Sequence, residues 1–294
     1  QPQPQPQPEQ RHQKQPPPQQ SSPSPPIELR RLLLLDGEGG AAWQFCSCLR
    51  LQSGRHQAKL LPLSKGCVWP EATCLADVLS EQEAANFIKV FHATGAFAAH
   101  QPLSDPVRRN HVITWIAPPE ILSELWSRLT PLLPVLINSK QRPASLRPAG
   151  INAQLRVYRY SEGQTFLMHY DKAQTAAMLE DEGNRLRADD RLRSWHSLLI
   201  YLNQHGDDFT GGATSLYTSG EEGTPVPIEP QRGGGLVFPH GDHPASLLHC
   251  GEVVTSGIKY VIRTDILFCD SDYTGDDDKC SKYRAIYVDQ KTMA

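Results

Sequence analysis

The chain has 294 residues, a formal charge of −3 from 29 Lys and Arg against 32 Asp and Glu, and a mean hydropathy of −0.45. That length suits one large domain or two small ones, and the near balance of charge gives no electrostatic basis for nucleic acid or anionic membrane as a default partner. The seven cysteines are spaced irregularly and fit no zinc hook, Cys46-Ser47-Cys48 being too close. Their odd number argues against a purely disulfide-built secreted fold, although Cys250, Cys269 and Cys280 are open to pairing with others. The only dense apolar run, residues 32–35, is far too short to span a bilayer. The chain opens on Gln1 rather than Met, so a preceding segment is expected, and the expected location is cytoplasmic or nuclear.

Residues 1–26 are Gln-Pro repeats followed by a Gln/Pro/Ser mixture. Proline fixes φ and removes donors, and there is almost nothing apolar to bury, so a disordered or polyproline-II tail follows. A spacer is the simpler reading, a ligand for an SH3-like or WW-like groove the rarer one. Residues 27–67 form a poorly defined segment whose apolar stretches, 28–35 and 58–63, are broken by Gly37, Gly39, Gly40 and Gly54. Short strands or poor order are expected there.

A folded domain is expected over 68–270. Ser80 and Glu83 form a capping box, and Ala84, Phe87, Ile88 and Phe91 then repeat at the spacing of one helix face. A second helix starts at Pro119, a good first residue, buries Ile121, Leu122, Leu125, Trp126 and Leu129, and ends by Pro131 and Pro134. Neither helix carries a cluster of reactive side chains, so both read as supports. From Asn152 the period becomes alternating. Strands are expected at 155–160, 197–203, 213–217, 226–229, 235–239, 246–249 and 259–268, the fourth limited to an edge by Pro227. This density of short strands and turns indicates an all-β sandwich or jelly roll. The charged stretch 178–193 reads as a solvated loop or short helix, and 271–294 as a solvated C-terminal tail.

Against this frame His169-Tyr170-Asp171 stands at the end of a strand-like segment. Residues two apart on an extended segment point to the same side, so the imidazole and carboxylate can share one metal ion. Two histidines and one carboxylate make the triad that holds non-haem Fe(II) while leaving positions open. A further histidine, His249, follows a long gap, and ten residues after it Lys259 opens the last strong strand. Tyr160 precedes the turn before the ligand strand. A rival pair, His240-Gly241-Asp242, lies in a Gly/Pro-rich stretch and reads as a turn. His243 competes for third ligand, but its spacing to Lys259 is wrong and Pro244 follows. His196 and His205 read as surface or lid residues, Cys250 as a small buried hydrophobe, and the paired glycines as loop residues without a phosphate-binding context.

The order His-x-Asp, long gap, His, ten residues, Lys resembles the Fe(II)/2-oxoglutarate-dependent dioxygenases, in particular their prolyl 4-hydroxylase-like branch. Trp195-His-Ser-Leu-Leu-Ile-Tyr-Leu-Asn, Thr210-Gly-Gly-Ala-Thr-Ser-Leu-Tyr and Arg232-Gly-Gly-Gly-Leu-Val-Phe-Pro belong to the same pattern. The resemblance spans roughly residues 68–270. It implies a mainly β fold, a double-stranded β-helix (jelly roll) braced by N-terminal helices. It also implies His169, Asp171 and His249 as iron ligands, and Lys259 as the cation neutralising the distal carboxylate of 2-oxoglutarate. Tyr160, Tyr201 and Arg263 would contact the co-substrate or the substrate side. O2 would be the oxidant and ascorbate the reductant, and a prolyl or other protein side chain the substrate. A small molecule or nucleic-acid base is the first alternative and an inactive jelly-roll binding module the second. Alternation places Lys259, Val261, Arg263 and Asp265 on one face, where the buried polar groups need partners. Collagen-type relatives often carry Trp where Asp265 stands, which counts against a procollagen-like substrate.

Overall fold

The structure, a computed structural model, describes residues 27–35, 41–54, 57–61, 72–99, 108–132, 146–180, 185–221 and 223–270. The Gln/Pro-rich tail, the expected onset of order near residue 68 and the C-terminal tail lie outside them. Strands β1 (Ile27–Leu35) and β2 (Ala41–Leu51) pair with each other, and β3 (Lys59–Leu61) and β4 (Thr73–Ala76) lead into helix α1 (Glu81–Ala93). Short β5 (Ala98–Ala99) and β6 (Arg108–Arg109) and the longer β7 (His111–Ile116) precede helix α2 (Pro119–Leu129). The rest is strand: β8 (Leu146–Ile151), β9 (Gln154–Ser161), β10 (Thr165–His169), β11 (Thr175–Glu180), β12 (Arg185–Tyr201), β13 (Phe209–Gly211) and β14 (Thr214–Glu221). β15 (Pro225–Ile228), β16 (Gly235–Pro239), β17 (Leu248–Gly251) and β18 (Val254–Asp270) complete the chain order.

Two antiparallel sheets result, a large one running β2-β1-β7-β9-β18-β12-β16-β4-β3 and a small one running β15-β14-β17-β10-β6. They pack face to face as the expected jelly roll. Their shared interior draws Tyr158, Tyr160, Tyr201, Leu236, Phe238 and Val261 from the large sheet, and Phe166 and Leu216 from the small one. Because neighbours along a strand point to opposite faces, Tyr260 and Ile262 of β18 and Leu198 and Ile200 of β12 join the other core, between the large sheet and the helices. β18 is therefore buried on both faces and aims its odd-numbered residues from Lys259 to Asp265 into the interior.

Both helices form where the sequence places them. Ser80 Oγ accepts from the Glu83 N–H, and Glu83 Oε2 accepts from the Ser80 N–H, closing the capping box. Phe87 and Phe91 then pack edge-on against Trp115 of β7. The stretch 178–193 departs from expectation. Its described parts, 178–180 and 185–193, are strand rather than loop, with Met178 opposite Arg187 and Glu180 opposite Arg185 in the β11–β12 ladder. Main-chain ladder bonds do not require apolar side chains, so the charged composition concealed the strands.

Candidate metal and dicarboxylate site

His169 ends β10, and its partner across the ladder is His249 of β17. That register sets the two imidazoles side by side, ring centroids 4.2 Å apart. Each ring is oriented by the same local device. Nδ1 of His169 donates to the Leu167 carbonyl at 2.7 Å, and Nδ1 of His249 to the Leu247 carbonyl at 3.0 Å. The Nε2 lone pairs are thereby left for a third party. Phe166 stacks on His169 at 3.7 Å and Phe238 meets His249 edge-on.

Asp171, two residues past His169, closes the group. Its Oδ1 lies 3.6 Å from His169 Nε2 and its Oδ2 3.6 Å from His249 Nε2. One ligand atom from each of the three residues lies within 4.8 Å of the others. His169 Nε2 is buried without a hydrogen-bond partner, an arrangement that costs free energy unless something satisfies the atom. A divalent cation at the centre would satisfy all three donors, and an imidazole, imidazole, carboxylate set with open positions suits Fe(II). The protonation states agree. Burial opposes ionisation of Asp171, but the Arg263 guanidinium and the two imidazoles hold its carboxyl well below the usual range. Burial pushes His249 down to about 4, so its ring is neutral near neutral pH.

Lys259 occupies another part of the same cavity, which is lined by Tyr158, Tyr160, His169, Asp171, His249 and Lys259 among others. Its ammonium is buried, donates to the Gly212 carbonyl at 2.7 Å, and lies over the rings of Tyr160 (5.3 Å) and Tyr201 (5.8 Å). No carboxylate forms a salt bridge with it among the described residues, and burial pushes it down to about 8. A buried cation of this kind calls for an anionic ligand. Tyr160 is opposite Lys259 in the β9–β18 ladder and lines the cavity. Tyr201 does not line it; its hydroxyl donates to Thr214 Oγ1 at 3.0 Å, so its part is to support the lysine and Thr214, which does.

Arg263 turns toward the carboxylate of Asp171 rather than away from it. One terminal nitrogen lies 3.3 Å from Asp171 Oδ2 and 3.0 Å from Asp265 Oδ1. Asp265 is fully buried and pairs with Arg263, as alternation allowed. The largest addition concerns His240. The turn forms as expected, the His243 N–H reaching the His240 carbonyl at 3.1 Å, but His240 itself is fully buried, with Nδ1 2.6 Å from Ser197 Oγ, whose proton goes to Asp171 Oδ2 at 2.5 Å. Leu236, Phe238 and His240 alternate along one face, a signal that would have placed it. Ser197 was missed altogether, although it shares the inward face of β12 with Leu199 and Tyr201.

His196, expected at the surface or in a lid, is fully buried against Phe268 and His243, because β12 continues through it as a central strand. His205 is half-buried, 3.5 Å from Glu229. His243 is buried against Trp195, with Nδ1 accepting from the Ala245 N–H, and takes no place among the metal donors. Cys250 is half-buried rather than fully enclosed and borders the cavity, its thiol 3.7 Å from Tyr217 Oη.

Residues 155–264 match the family model described as the 2OG-Fe(II) oxygenase superfamily. Over that stretch the matched family, the fold and the His/His/Asp donor set agree on 2-oxoglutarate- and Fe(II)-dependent dioxygenase chemistry. No curated protein matches it significantly. Among solved structures it is similar to the viral collagen prolyl hydroxylase of Paramecium Bursaria Chlorella virus-1 in complex with 2OG, at 20% identity and a TM-score of 0.45 over 69% of this chain and 99% of that one. A Pseudomonas putida prolyl-4-hydroxylase matches at 15% identity and a TM-score of 0.45, covering 66% and 91%. A Trichoplax adhaerens prolyl hydroxylase, in complex with a hypoxia inducible factor oxygen degradation domain peptide fragment, matches at 18% and 0.45, covering 69% and 84%.

Proposed function

We propose that the protein hydroxylates a C–H bond of a protein side chain, prolyl or other, with His169, Asp171 and His249 as the iron ligands and Lys259 as the anchor of the distal carboxylate of 2-oxoglutarate. The observation that carries this reading is one cavity holding both a His/His/Asp donor set and a buried ammonium without a salt-bridge partner. Charge supports it. Arg263 is balanced by Asp265, which leaves Asp171, Lys259 and a divalent metal with two net positive charges, the complement of a dicarboxylate.

When bound, the iron and 2-oxoglutarate supply the oxidation of the C–H bond by O2, with succinate and CO2 as the other products and ascorbate as reductant. The chain's own work is ligation, orientation and exclusion of water. Lys259 fixes one end of the co-substrate and Tyr160 walls the cavity beside it. The paired Nδ1 donations keep both imidazoles in the tautomer that offers Nε2. Leu167, Met168 and Tyr170, all exposed, flank His169 in the chain. Exposed apolar side chains next to a metal donor favour a macromolecular substrate over a small polar one.

The test is incubation with Fe(II), ascorbate and 2-oxoglutarate. Succinate should form even without substrate, and H169A should bind no iron. Absence of both succinate and iron binding in the wild-type protein overturns the reading. Mass spectrometry on peptide libraries, looking for one added oxygen, identifies the substrate; hydroxylation confined to small molecules would reject the protein-substrate part.

A further inference from the structure

The hydrogen bonds around Asp171 have a direction that can be worked out atom by atom. An ionised carboxylate only accepts, so Ser197 Oγ, 2.5 Å from Asp171 Oδ2, spends its single proton there. Ser197 Oγ must then accept from His240 Nδ1 at 2.6 Å, which makes Nδ1 the protonated nitrogen. Burial holds His240 below its ordinary pKa, so the ring is neutral and Nε2 is an acceptor. Ser194 Oγ, 2.7 Å away, donates to it. Ser194 Oγ in turn accepts from the Gln174 N–H at 2.7 Å. The relay thus starts on the main chain three residues past Asp171 and ends on the Asp171 carboxylate, every hydroxyl giving one proton and accepting one. A second tie runs beside it, from the Gly241 N–H to the Asp171 carbonyl at 3.0 Å. Gly241 has φ +61, and a Cβ there would come within 2.7–2.9 Å of Ala173, so the approach of the two segments requires glycine.

Resting on the metal-site reading above, we infer that His240 is a positioning residue for the metal carboxylate: through Ser197 it engages Oδ2 of Asp171 and turns Oδ1 toward the metal. Partners of this kind typically change metal affinity roughly 10–100-fold when removed. The second His-x-Asp of the chain therefore serves the first one. His240 and Gly241 hold Asp171, whereas Asp242 is exposed, 3.8 Å from Arg193.

The experiment is titration of the metal-free full chain with Co(II), following affinity and the visible d–d spectrum. S197A and H240L should each weaken binding roughly 10–100-fold and alter the spectrum. The double variant should be little worse than either single one, because both cut the same relay. H240N, whose amide can still donate toward Ser197, should recover most of the affinity, and D242N should behave as wild type. If H240L fails to fold, S197A, which removes one oxygen, still decides. Wild-type affinity and spectrum in S197A, or additive losses in the double variant, would overturn the inference. A wild-type protein that binds no Co(II) would instead overturn the metal site itself.

Discussion

Lys259 shows how one buried charge links binding to pH. Its folded pKa is pushed down to about 8 from an ordinary 10.5, so between those values the unfolded chain holds a proton that the folded one lacks. Stability of the ligand-free protein should therefore rise with pH across that window. Affinity for 2-oxoglutarate should move the other way, falling as pH climbs above about 8, because the ammonium is the proposed anchoring group. Calorimetric titration across pH 7 to roughly 10 checks this, and K259M should bind weakly with no such dependence. Lys259 was legible as a site residue from its distance after His249. Its setting among Tyr160, Tyr201 and the Gly212 carbonyl was not, because those contacts come from two other strands and a loop.

At the level of elements, the helices brace the large sheet through one buried arginine. Arg128 of α2 donates to both oxygens of Glu83 in α1 at 2.9 and 3.0 Å, to Glu124 one turn back, and to the Val78 and Gln52 carbonyls. Glu83 closes the capping box of α1 with the same carboxylate that receives Arg128. R128M leaves two buried carboxylates without their cation, and should cost about 3–5 kcal/mol, read as a lower urea midpoint. The capping box was visible in the sequence because its two partners are three residues apart. The ion pair was not, since its partners are 45 residues apart in sequence. The same contrast holds at the site, where the end of β10 and the residues just after it carry a visible His-x-Asp while Ser197, on β12, meets it only through sheet stacking.

For the whole molecule, the three proposed iron ligands come from two strands of the small sheet and the segment just beyond one of them, so the full set exists only in the folded chain. A ligand that binds only the folded state stabilises it by mass action, about 2.7 kcal/mol at a hundred times Kd. Co(II) or Mn(II) at that excess should raise the Tm by roughly 5–10 °C, measured by thermal unfolding, and H169A should show no rise. The sequence by itself determined what depends on local order: the helix starts and the alternation that builds a jelly roll, and it singled out His169, Asp171, His249 and Lys259 as candidates by a spacing that resembles the dioxygenase pattern. Only the tertiary structure decided which side chains serve those four. The second His-x-Asp is a turn, as its sequence indicated, but the burial of His240 was not legible because a motif's surroundings in sequence are not its surroundings in space. Closing the two sheets brings His240 to Ser197 and both to Asp171, and burial there turns a polar residue near a turn into part of a directed relay.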